Sequence, residues 1–189
     1  LMAATRFHHF GSALLLPDAS LAVFFLAGFY LSGVMALAVL LLEAGLIDYL
    51  AITMGGVSDW CVTPAYWFLI PTYACLWYGG RWYAGRRRRV WSARRPLIGT
   101  LLFSVSLAFL ISNAGFYLFS GYFPQMGWAE YGAGVAPYYP RYAANAFLYV
   151  AFAALAHWTV AMLRPVNIPH TGRSSSMRTA ASANDGSGR

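Results

Sequence analysis

Six of the chain's thirteen basic residues, Arg86, Arg87, Arg88, Arg89, Arg94 and Arg95, fall in one short segment between two apolar stretches. Basic residues flanking apolar helices collect on the cytoplasmic side of a membrane, so this segment orients everything around it. Composition agrees with lipid as the solvent. Of 189 residues, 59% are hydrophobic, 17% aromatic and only 10% charged, against roughly 25% charged in a soluble domain. One soluble core of this size cannot cover so much apolar surface. The net charge of +7 does not point to nucleic acid, because solvated basic loops are the ordinary meaning of such a run.

Apolar stretches and breakers predict an all-α integral membrane protein with five visible helices. After an entry segment (residues 1–17), Asp18 or Ser20 caps a helix running to about Leu31. Its core is short for a span. A second helix runs from about Val34 to Thr53 and carries Glu43 and Asp48. Residues 54–63 form a Gly-rich loop, and Pro64 opens a third helix to about Tyr78, with a kink expected at Pro71. Residues 79–96 read as the basic loop. A fourth helix covers about Leu97 to Phe119, an aromatic connection covers 120–142, and a fifth helix covers about Ala143 to Leu163. Composition divides the chain into a membrane-embedded bundle, 1–164, and a Ser-, Thr- and Gly-rich tail, 165–189, expected to be a disordered cytoplasmic segment.

With the basic loop and tail inside, the fourth and fifth helices make a hairpin whose 120–142 connection lies outside. The third helix then enters from outside at Pro64. His8, His9, Asp18, Asp48, Cys61, Tyr66 and the 120–142 connection consequently share the external face.

The chain has two cysteines, Cys61 and Cys75. On one predicted helix they lie about 20 Å apart, too far for a disulfide. Cys61 is either a small apolar filler or a soft thiolate ligand for a metal already held by another chelate. His8 and His9 are adjacent and share no helix face. They are an interfacial pair, or one of them is an axial ligand. Asp48 is a costly carboxylate in an apolar helix, and so a functional candidate unless a buried Arg or Tyr pairs with it. Glu43 reads as a helix–helix polar contact. Arg141 is the one basic residue of the outer connection, able to pair with Asp48 or to bind a polar ligand. Tyr117, Tyr122, Tyr131, Tyr138, Tyr139 and Tyr142 form either an interfacial belt or the wall of a site for a planar ligand. Ser112 and Asn113 read as interhelical contacts, and His157 as a packing residue. The common soluble-enzyme motifs are missing.

Several segments carry a resemblance: FHHFGSALLLPDASLAVFFLAGFYL, LIDYLAI, GGVSDWCVTPAYWFLIPTY and GRWYAGR. Across residues 6 to about 163 the chain resembles the BtuM family of cobalamin (vitamin B12) transporters, solitary S-components of the energy-coupling factor (ECF) type from Gram-negative bacteria. The resemblance implies a six-helix S-component-like bundle in the inner membrane, with cobalamin bound towards the periplasm. It implies that Cys61 ligates the corrin cobalt, with loss of cyanide from cyanocobalamin by ligand exchange. It puts His9, as a possible metal ligand, and Asp48, Tyr66 and Arg141 on binding positions. The family has one more helix before FHHFG, where this chain has LMAATR, so an upstream segment is expected. An ECF coupling module stays open as a partner. Two rivals remain: a membrane enzyme that processes cobalamin without transporting it, and a haem- or quinone-binding subunit.

Overall fold

The computed structural model describes residues 1–6, 17–31, 33–55, 62–87 and 94–163. The described residues are predominantly helical, with no strand among them. Among the described residues seven α-helices follow one another: α1 (Met2–Arg6), α2 (Ser20–Tyr30), α3 (Val34–Gly55), α4 (Leu69–Arg87), α5 (Arg94–Phe119), α6 (Trp128–Val135) and α7 (Tyr139–Leu163). Tighter 3₁₀ turns lead into α4 (Pro64–Phe68) and α7 (Ala136–Tyr138). The chain divides into residues 1–155 and 156–189. The described part of the second unit is the end of α7. The composition boundary at 164/165 lies outside the described residues.

Among the described residues three segments are long and apolar enough to cross a membrane: Val34–Gly55, Pro96–Phe119 and Trp128–Leu163. Their outward faces are apolar too. Met35 is 77% exposed, Leu42 74% and Phe103 69%. Water would not tolerate such a surface on a monomer, whereas lipid would. Two of the five helices read from the sequence fall short of a span. The α2 helix has 11 residues, about 16 Å of rise against a hydrocarbon core of about 30 Å. The α4 helix has 19, but includes Arg81, Arg86 and Arg87.

That extension of α4 to Arg87 corrects the expected loop over 79–96. Cations in the last turn of a helix meet the partial negative charge of its C-terminus. Their long stems also let the charges reach the interface, so arginines here continue a helix instead of ending it. A 3₁₀ turn ends at Phe68 and α4 begins at Leu69, so Pro71 lies just after one helix type gives way to another. Pro71 falls in its first turn, where a missing N–H costs least. The 120–142 connection is also partly helical. It contains α6, the second 3₁₀ turn and the start of α7, with Pro140 in the first turn of α7.

The core of the first unit centres on α2 and α4. Phe24, Phe25, Leu76 and Trp77 are fully buried there, joined by Leu101 and Val105 of α5. Phe24 stacks on Tyr73, with ring centroids 4.1 Å apart. Two glycines bring the helices this close. A Cβ on Gly28 would overlap the Trp77 carbonyl, and one on Gly80 would overlap that of Phe25. The backbones of α2 and α4 are therefore in direct contact on both sides of one seam. Small residues permit this kind of approach between membrane helices, where packing and not water expulsion drives association.

Candidate functional site

Five elements of the first unit converge on Asp48, near the C-terminal end of α3. Arg6, the last residue of α1, grips the carboxylate with two bonds: Nε donates to Oδ1 and a terminal nitrogen to Oδ2, both at 2.5 Å. The other terminal nitrogen donates to the Tyr73 hydroxyl of α4 and, at 3.2 Å, to Ser20 Oγ at the start of α2. Tyr66, in the turn before α4, donates to Asp48 Oδ2 at 2.7 Å. Ser20 is held in turn by Asp18, whose Oδ1 accepts from the Ser20 N–H at 2.9 Å and its hydroxyl at 2.6 Å. The cap position of α2 falls on Ala19, which makes no side-chain cap bond; Asp18, one residue earlier, instead accepts from the first helical N–H, that of Ser20.

The Arg6 and Asp48 side chains are 11% and 23% exposed. A charge so removed from water is stable only when paired and hydrogen-bonded. Here the fork of the guanidinium matches the carboxylate, and Tyr66 takes a further lone pair. Burial disfavours the Arg6 charge, but the Asp48 and Tyr73 interactions outweigh it and hold the group cationic. Burial, and then the bond to Asp48, push the Tyr66 hydroxyl above its ordinary range. Tyr66 therefore stays protonated and acts as a donor.

Of the residues proposed for the site, Asp48 and Tyr66 are brought into contact. Arg141 is not with them. It is exposed in the first turn of α7, and the carboxylate it was a candidate to pair with belongs to Arg6. His8, His9 and Cys61 lie outside the described residues. The pairing of Asp48 with both an Arg and a Tyr is the structural alternative weighed for it. Arg6 was missed as its partner, and Tyr73 as the hydroxyl that also holds Arg6. Arg6 sits in the LMAATR stub, which shows no pattern of its own. Tyr73 carries a usable signal, because it follows Tyr66 by seven residues, two helical turns.

Other candidates fall elsewhere. Glu43 is exposed on α3 and not a contact between helices among the described residues. His157 lies on an exposed part of α7. Ser112 donates to the Phe109 carbonyl of its own helix at 3.3 Å and also hydrogen-bonds the Tyr142 side chain of α7, the interhelical contact expected of it. Asn113 donates to the same carbonyl and accepts at its own carbonyl from the Tyr131 hydroxyl at 3.2 Å. The tyrosines separate into groups. Tyr117 and Tyr131 form an aromatic knot with Phe123 and Trp128, closed by the Tyr117 hydroxyl donating to Met126 O at 2.6 Å. Tyr139 and Tyr142 pack edge-on against Phe109, while Tyr122 and Tyr138 are exposed. Cys75 is a free thiol that donates to Thr72 O at 3.0 Å. Among the described residues, no three His, Cys, Asp or Glu side chains are grouped as metal ligands.

No protein-family model matches the chain, and no curated protein matches it. The all-helical membrane character therefore stands on the sequence and the structure.

Proposed function

We propose that this chain is a small inner-membrane protein that binds cobalamin from the periplasm and carries it inward, as an S-component-like bundle. Cobalamin is its cargo. The corrin supplies four ligands to cobalt, so one thiolate, Cys61, completes a site that needs no cluster of protein ligands. When Cys61 replaces the axial cyanide of cyanocobalamin, a Co–S bond forms and the Co–C bond breaks. Cyanide leaves with the bonding pair, and no electron is transferred. His9 is the second candidate at the metal. Tyr66 and Arg141 offer polar groups to the amide side chains of the corrin, and Asp48 orients Tyr66.

The observation that carries this reading is the Asp48–Tyr66 bond of 2.7 Å. The two residues come from the two motifs, LIDYLAI and SDWCVTPAY, that flank and contain Cys61. Their contact ties the α3 side of that segment to the α4 side.

Cys61→Ala is expected to remove cobalt–sulfur ligation and decyanation while corrin contacts retain some binding. The absorption spectrum of cobalamin bound to wild type and variant checks this, and identical spectra would overturn the ligand assignment. Uptake is tested separately, by growth rescue of a cobalamin-dependent strain lacking its own transporter. Binding and decyanation without rescue would favour a processing enzyme. A Soret band in the purified protein would instead favour a haem-binding subunit.

A further inference from the structure

Between α4 and α5 runs a groove of about 560 Å³, lined by Cys75, Tyr78, Gly79, Trp82 and, from α5, Gly99, Thr100, Phe103, Ser104 and Leu107. That volume is within the ~300–1,000 Å³ of clefts that hold small ligands. The groove is separate from the Asp48 network. Its floor is the contact of Gly79 with Ser104, where a Cβ on the glycine would overlap the serine hydroxyl. Its walls are apolar in effect, because Thr100 donates to Pro96 O at 2.6 Å and Cys75 to Thr72 O at 3.0 Å. Phe103, at 69% exposure, and Tyr78, at 56%, stand open along it.

One end of this groove carries a cation, Arg86. Cys75, Gly79, Trp82 and Arg86 follow one another at steps of four, three and four residues, so they share one face of α4. Trp82 closes the groove, and the Arg86 guanidinium lies 4.0 Å above its ring. Stacking of this kind holds the cation in place. Arg86 is exposed and makes no ion pair among the described residues. The run from Arg86 to Arg95 has no carboxylate near it in sequence, since none occurs between Asp59 and Glu130.

An apolar channel between two helices, ending at a tryptophan and at a cation with no ion-pair partner among the described residues, has the polarity of one kind of molecule. We propose that the groove binds an anionic phospholipid of the surrounding bilayer, one acyl chain lying between α4 and α5 and the phosphate meeting Arg86. Basic pockets between membrane helices favour acidic head groups in this way. A zwitterionic lipid offers the same chain, but its own cation offsets the attraction at Arg86. The site is independent of the cargo assigned above.

Native mass spectrometry of the full chain in detergent, titrated with phosphatidylglycerol or phosphatidylcholine of identical chains, tests the proposal. Phosphatidylglycerol adducts are expected to persist at lower lipid concentration. Arg86→Gln should weaken them about fivefold, the effect of removing one interfacial cation, and leave phosphatidylcholine unchanged. Gly99→Phe should abolish retention of both lipids. A side chain at Gly99 meets open space, so this variant fills the groove without disturbing the fold. Equal retention of the two lipids by wild type would overturn the proposal. So would phosphatidylglycerol binding that survives Gly99→Phe, which would mean attraction to diffuse charge alone.

Discussion

Asp48→Ala is expected to destabilise the protein by about 3–5 kcal/mol, the cost of leaving one partner of a buried ion pair alone. The variant strands Arg6, whose side chain is 11% exposed, with two donors that have lost their acceptor. It also leaves the Tyr66 hydroxyl without the carboxylate it serves. Thermal unfolding in detergent, followed by circular dichroism, reads the loss. The double variant Arg6→Met, Asp48→Leu should recover most of it, because apolar side chains of similar size fill the site without a charge to satisfy. Asp48→Asn is expected to fall between, since its amide oxygen still accepts from Tyr66. A melting temperature of Asp48→Ala matching wild type would show that Arg6 and Asp48 do not hold α1, α3 and α4 together. Cobalamin binding measured on the same variants separates two roles. A contact with the cargo would lower affinity even in the stable double variant, whereas a purely architectural pair would not.

The second large effect belongs to the seam between α2 and α4. Gly80→Leu is expected to prevent the native fold, because its Cβ alone collides with the backbone of Phe25. Gly28→Leu should do the same through Trp77. Neither clash can be relieved by rotating a side chain, since the opposing atoms are main chain. Overpacking of ordinary cores costs about 1–3 kcal/mol; pushing two helices apart also uncovers Phe24, Phe25, Leu76 and Trp77, all at 0–1% exposure. The control is Gly45→Leu on α3, where a side chain meets nothing. It should leave a monodisperse peak in size-exclusion chromatography, where Gly80→Leu gives aggregate. Native-like elution and melting of Gly80→Leu would mean that the seam is not needed.

Much of this architecture was legible in the residues. Asp18 and Ser20 mark the start of α2, and the apolar run from Val34 marks α3. Asp48 declared itself as a carboxylate where one is costly. Its partner Arg6, and the Tyr73 hydroxyl that also holds Arg6, did not, for different reasons. Arg6 is joined to Asp48 across 42 residues, and such pairing leaves no periodic trace. Tyr73 looked like one more aromatic in an aromatic-rich chain. The length of α4 was hidden because arginines were weighed as loop residues and not as favourable charges at a helix end. The role of Gly28 and Gly80 was invisible for a simpler reason: a glycine needed for a neighbour's backbone looks the same in sequence as one that merely tolerates it.

The shortness of α2 has a consequence for biogenesis. At 11 residues it cannot cross a bilayer core of about 30 Å by itself, and a lone segment there must satisfy all its main-chain polar groups internally. Its lasting partner, α4, is not complete until the ribosome has passed Gly80 and α3 has been made in between. Synthesis therefore delivers the intervening long span before the short helix has a place to dock. The chain must insert out of order, with α2 waiting at the interface and settling late against α4.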